Sequence, residues 1–221
     1  YVRFLWRALR LLLIFRHNKP VRTAAGWKLH LYLPAYPSPA FFYALESKLL
    51  RDAPGPPTVV FSMTRACSYH CPHCYQHRDS GPDLEEPRLL DTARAVVAAG
   101  VAFFNIEGGE PFLRFPRLLA LVQSLDPRTE IWINSTGAHL EPGMLTALQS
   151  AGAYGFIASI HASEAARHDA FTGVPGSFAA ACDLLRACRS TGLATAINSV
   201  LSEEDVLAGG IPALMELAKE L

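Results

Sequence analysis

The sequence predicts an α/β fold: a parallel sheet of about five βα units forming part of a barrel, with the C-terminal part missing. Three observations carry this expectation. From Thr58 onward, β-branched or aromatic runs alternate with Ala- and Leu-rich stretches of helical period, the pattern of strands joined by crossover helices. The strand-like runs are almost continuously apolar, as strands covered on both faces require. Residues 58–221 divide into five units of about 33 residues, the usual length of one such step.

Residues 1–57 have a different character and are expected to form an N-terminal extension. Arg3, Arg7, Arg10, Arg16, Lys19, Arg22 and Lys28 all precede the first acidic residue, Glu46. Arg3, Arg7 and Arg10 recur at the spacing of one helix face, with Leu5, Leu9, Leu12 and Leu13 elsewhere on the wheel. Such a helix either lies at a membrane interface or packs its apolar side on the protein or a partner. A Pro-rich bridge (Pro34, Pro37, Pro39), a short helical stretch over 41–50 and a turn at 54–57 lead into the sheet. Strands are then expected at 58–64, 101–106, 130–134, 155–160 and 193–200. Helices are expected at 87–99, 115–125, 142–151, 177–191, and from 203 to the end with a break near Gly209 and Gly210. Gly100, Gly152 and Gly192 sit just past helical stretches, where a left-handed cap favours glycine.

Composition excludes several classes. Half of the 221 residues are hydrophobic and 18% are charged, so the bulk is not disordered. No apolar run approaches the roughly 18 residues that span a bilayer, since the stretch at 11–15 is bracketed by Arg10 and Arg16. The net charge of zero hides an asymmetry, because the chain after Lys28 holds 13 basic and 20 acidic residues. Five cysteines, three of them within eight residues, suit a metal site better than a disulfide framework, and a cytoplasmic setting is the default. The chain opens on Tyr1 rather than Met, which leaves room for residues upstream.

The chemistry centres on Cys67, Cys71 and Cys74, a C-x3-C-x2-C spacing that begins three residues after the first expected strand. Three thiolates on a loop at a strand's C-terminal end can hold three irons of a four-iron, four-sulfur cluster and leave one iron open. The C-terminal face of a β/α barrel is where such enzymes assemble their sites. The alternative is a zinc site of three Cys plus one of His70, His73 or His77, in a non-catalytic interaction domain. Cys182 and Cys188 lie six apart on an expected helix, about 240° round its axis from each other, and read as buried small apolar residues.

These cysteines, with Glu107-Gly108-Gly109-Glu110-Pro111 at the end of the second strand, resemble the radical S-adenosylmethionine (SAM) superfamily. The resemblance covers 58–221 and implies a partial TIM-like (β/α) barrel. The stretch from Arg167 to Phe178 further resembles the subgroup that matures peptides and cofactors (SPASM-type). The resemblance implies a 4Fe-4S cluster on Cys67, Cys71 and Cys74, with SAM chelating the open iron. A backbone carbonyl of Gly108 or Gly109 and the Glu110 carboxylate are then expected to meet its amino group. The family carries an aromatic residue before the third Cys. Here that position is His73, followed by Tyr75, and either ring is expected beside the adenine. Asn134, Ser135 and Thr136, Ser159, His161 and Asn198 lie at later strand ends, and Ser159 and Asn198 match positions of polar contacts to SAM.

The resemblance implies reductive cleavage of SAM to a 5'-deoxyadenosyl radical, which abstracts hydrogen from a peptide or small-molecule substrate. A ferredoxin or flavodoxin would supply the electron. A second reading within the family takes RNA or lipid as substrate, through the basic N-terminal segment, which would also allow peripheral attachment to a membrane surface or nucleic acid.

Overall fold

The computed structural model describes residues 2–23, 26–51, 53, 55–78 and 81–221, with side chains excepted at 2–4, 8, 11, 12, 77 and 78. Pro54, in the expected turn at 54–57, lies outside them. The chain opens with helix α1 (Val2–Phe15), then a hairpin of β1 (Val21–Thr23) and β2 (Gly26–Lys28), then α2 (Pro39–Leu45), which continues as a wider turn over Glu46–Leu50. The repeating part follows: β3 (Thr58–Ser62), α3 (Glu86–Ala98), β4 (Phe103–Glu107), α4 (Phe115–Ser124), β5 (Glu130–Ser135), α5 (Met144–Ala151), β6 (Ala153–Ser159), α6 (Ala165–Thr172), α7 (Ser177–Thr191), β7 (Ala194–Asn198), α8 (Glu203–Leu207) and α9 (Gly210–Glu220). Strands β3 to β7 pair in sequence order, all parallel.

The α/β class and the five units are therefore those the sequence predicts, with no strand limit shifted by more than two residues. Two elements were not anticipated. The hairpin strands have three residues each, too short to show a period of two. Helix α6 carries a weak apolar pattern, with buried His168 and Thr172 on its inner side.

The strand alternation divides the sheet into two faces. Phe104, Ile106, Ile131, Ile133, Phe156 and Ala158 point under the helices, into a core with Leu118, Leu121, Leu148 and Leu185. Cys182 and Cys188 are buried in that core, at 2% and 0% exposure. The other face is concave. On it Phe103, Trp132 and Ile157 form a second cluster, with Leu31 of the extension packed against it.

The extension is held there by a buried ion pair. Lys28 Nζ donates to Glu130, the first residue of β5, and both side chains are almost fully buried. Glu130 also accepts from the Ala35 N–H at 2.7 Å and from Trp132 Nε1 at 2.7 Å. The ammonium sits 5.2–5.4 Å from the ring centres of Phe103, Trp132 and Tyr154. Burial pushes the Lys28 pKa down, against the pull of Glu130. Thr23 and Tyr154 hydroxyls meet at 2.6 Å. The hairpin thus covers the strand beginnings and leaves the strand ends for chemistry.

Candidate active site at the strand ends

A cavity of about 420 Å³ opens at the C-terminal ends of the strands, lined by the cysteine loop and by residues from the ends of β4 to β7. Its frame is a backbone contact between two loops. The N–H groups of Gly109 and Glu110 donate to the carbonyls of Thr64 and Ala66, both at 2.7 Å. A Cβ on Gly109 would stand 2.1 Å from the Ala66 oxygen, and one on Gly108 would stand 2.4 Å from the Thr64 oxygen. Gly108 also has φ +136°, a region L side chains rarely adopt. The two glycines are therefore required for the loops to touch, before any ligand is considered. Asp83 completes the frame by accepting from Thr64 Oγ1 at 2.6 Å and the Arg65 N–H at 2.8 Å.

Cys67, Cys71 and Cys74 all line the cavity and are partly exposed. The Tyr69 N–H donates to Cys67 Sγ at 3.4 Å, and the Cys74 N–H donates to the Cys71 carbonyl at 3.0 Å, so the loop curls on itself. Burial pushes the Cys67 and Cys71 thiols up, and the neighbouring cysteines add to the rise. Three thiols grouped on one loop are a donor set that a cationic centre converts to thiolates. Among the described residues no three His, Cys, Asp or Glu groups are placed to hold one metal ion, and the His77 side chain lies outside the described residues. An iron-sulfur cluster takes its thiolates at separate corners.

The acidic pair of the Glu107–Glu110 segment divides unexpectedly. Glu110, expected to meet a ligand amine, is 0% exposed and does not line the cavity. Its carboxylate accepts from Ser135 Oγ at 2.8 Å, Thr136 N at 2.9 Å, Thr136 Oγ1 at 2.6 Å and Phe112 N at 3.1 Å. Burial pushes its pKa up, against these four bonds. Glu107, which the sequence reading passed over, lines the cavity, and its carboxylate accepts from the Tyr75 hydroxyl and from Asn134 Nδ2 at 3.3 Å. Among the described residues the buried Asn134 Oδ1 has no hydrogen-bond partner, and Asn134 also lines the cavity. A buried acceptor left open is a ready partner for a donor such as an amine or hydroxyl.

Ser135, Thr136, Ser159, His161 and Asn198 line the same cavity, with Ser159 and Asn198 in register across β6 and β7. His73 packs on His161 and Phe171, with centroids 4.7 and 4.3 Å away, and His161 stacks on His168 at 5.5 Å. His161 Nδ1 accepts from the Val200 N–H at 3.1 Å, and burial, with His73 and His168 nearby, lowers its pKa to about 4. His161 is therefore a neutral ring at pH 7 that carries its proton on Nε2. Tyr69, His168 and Thr172 are further lining residues the sequence did not single out.

The residues thus fit a cluster on the three cysteines and a polar, amine-bearing ligand beside them. Comparison with known proteins agrees. The family model described as the Radical SAM superfamily matches residues 61–205. An Fe-coproporphyrin III synthase from Methanosarcina barkeri is 29% identical over 197 residues, which is 83% of this chain and 48% of that protein. A PqqA peptide cyclase from Xanthomonas euvesicatoria is 32% identical over 176 residues, 76% of this chain and 45% of the relative. The chain spans about half the length of these relatives. Streptococcus suis SuiB, solved bound to SAM, superposes with TM-score 0.59 at 17% identity over 75% of this chain and 37% of that one. It has also been solved bound to its precursor peptide SuiA. The cofactors of the family are a 4Fe-4S cluster and SAM. Motif spacing, strand-end placement and the family match all agree: this chain belongs to the radical SAM superfamily.

Proposed function

We propose that the chain is the cofactor-binding part of a radical SAM enzyme acting on a peptide or a cofactor precursor. One observation carries the reading: Cys67, Cys71 and Cys74 share a cavity with Gly108, Gly109 and the open acceptor of Asn134. When bound, the cluster and SAM supply one-electron cleavage to a 5'-deoxyadenosyl radical that abstracts hydrogen from a substrate. The three cysteine thiolates hold three irons. A carbonyl of Gly108 or Gly109 and Asn134 Oδ1 would accept from the SAM amino group, and Glu107, held by Tyr75 and Asn134, would add negative charge beside it. Glu110 positions the segment by fixing Ser135 and Thr136. His73 or Tyr75 flanks the adenine, and Ser159 and Asn198 meet polar groups of the nucleoside. A ferredoxin or flavodoxin is the proposed electron donor. The similarity to a peptide cyclase and to a porphyrin-handling synthase supports the two substrate classes.

The test is anaerobic reconstitution with iron and sulfide. Four irons and four sulfides per chain are expected, falling below one cluster in Cys71→Ser, with deoxyadenosine released from SAM under dithionite. Asn134→Leu is expected to keep the iron and weaken SAM binding about tenfold, as loss of a hydrogen bond inside a buried site does. A colourless protein holding a single zinc would overturn the reading.

A further inference from the structure

The amphipathic helix α1 has two readings by sequence, and the structure separates them. If its apolar side packed on the described residues of this chain, its leucines would be covered. Instead Leu5, Trp6, Leu9, Leu13 and Ile14 are 62%, 67%, 48%, 51% and 60% exposed. At 100° per residue, Leu5, Leu9, Leu13 and Trp6 fall within an arc of about 100°, and Arg10 lies about 40° beyond Trp6. Arg7 Nη1 donates to the Lys48 carbonyl at 3.3 Å and fastens the helix to the turn at 46–50 by a different side.

We infer that α1 is a docking helix that lies in the plane of an anionic lipid surface. Charge complementarity selects this occupant. No acidic residue precedes Glu46, while Arg3, Arg10, Arg16, Lys19 and Arg22 come before it, so the segment that carries the helix is strongly basic. A second copy of the helix would set arginines against arginines. A nucleic acid would meet the cations yet offer no apolar phase for Trp6 and three leucines. A bilayer with acidic headgroups supplies both, with Trp6 at headgroup depth, the leucines at the acyl boundary and Arg10 and Arg16 at the phosphates. The helix lies on the membrane rather than through it, since no described helix is long and apolar enough to cross.

The 221-residue chain is tested by co-sedimentation with phosphatidylcholine vesicles, with and without about one third phosphatidylglycerol, in about 0.1 M salt. Binding to the acidic vesicles alone is expected. It should fall about tenfold or more in Leu9→Glu/Leu13→Glu and in Arg10→Glu/Arg16→Glu, and stay unchanged in Arg186→Glu, an exposed cation of α7. The substituted side chains are exposed, and thermal unfolding of each variant checks that the fold is kept. The inference is overturned by failure of the parent chain to bind acidic vesicles, by equal binding to neutral ones, or by binding that survives Leu9→Glu/Leu13→Glu. A concentration-dependent dimer, or RNA binding without vesicle binding, overturns it in favour of another occupant.

Discussion

Glu107 and Glu110 lie three residues apart in one loop and meet opposite surroundings. Strand alternation is the signal that would have found the first, which the sequence reading passed over: Phe103, Asn105 and Glu107 share the concave face, so the strand's last acid points toward the site. The burial of Glu110 was not legible, because it depends on Ser135 and Thr136 arriving from β5. Removing the two carboxylates should separate their roles. Glu110→Ala strands several buried donors and is expected to lower stability by about 3 kcal/mol or more in urea unfolding, whereas Glu107→Ala stays within about 1 kcal/mol. Gly109→Ala is expected to cost about 1–3 kcal/mol and to impair iron uptake, because its methyl group meets the Ala66 carbonyl. His161 sets a pH dependence. Its pKa is about 4 when folded against 6.5 ordinarily, so the unfolded chain takes up the proton first as pH falls. Stability is then full above pH 6.5 and declines toward pH 4, by on the order of 3 kcal/mol. His161→Asn, whose side-chain oxygen can still accept from the Val200 N–H, should flatten that decline in unfolding measured across the range.

At the scale of elements, the repeating units and the helices of the extension were readable, while the hairpin and the way the extension is anchored were not. Apolar runs and helix ends announce βα steps locally. The role of Lys28 depends on Glu130, 102 residues away, and a buried lysine is the exception to the usual surface placement. The basic run therefore read as solvated or lipid-facing, while one of its members anchors the hairpin inside an aromatic cage. Lys28→Met leaves the Glu130 carboxylate buried without its cation and is expected to cost about 3–5 kcal/mol. Proteolysis within residues 26–38 should then be faster than in the parent chain. Lys28→Met/Glu130→Gln should recover part of the loss.

Across the whole molecule, order follows the sheet from its centre outward. Strands β4 to β6 have neighbours on both sides and almost no exposed inner residues, while Val60 on edge strand β3 is 54% exposed. Hydrogen exchange is expected to be slowest at 103–106, 131–133 and 156–158 and faster in β3 and β7, with α1 fastest among the helices. Strand order was legible from the repeat. Which strand ends meet in one cavity was legible only through the rule that parallel strands open their sites at one end, and that rule placed Cys67, Gly108, Asn134, Ser159 and Asn198 together.

The two sealed cysteines of α7 give the protein an internal standard. Burial raises the Cys188 thiol to about 12 and also raises that of Cys182, so neither offers an alkylating reagent much thiolate. Mass spectrometry after iodoacetamide should count three adducts on the native apoprotein and five after denaturation. Occupancy of the loop by metal would reduce the native count toward zero, so labelling stoichiometry alone reports how much of a preparation is loaded.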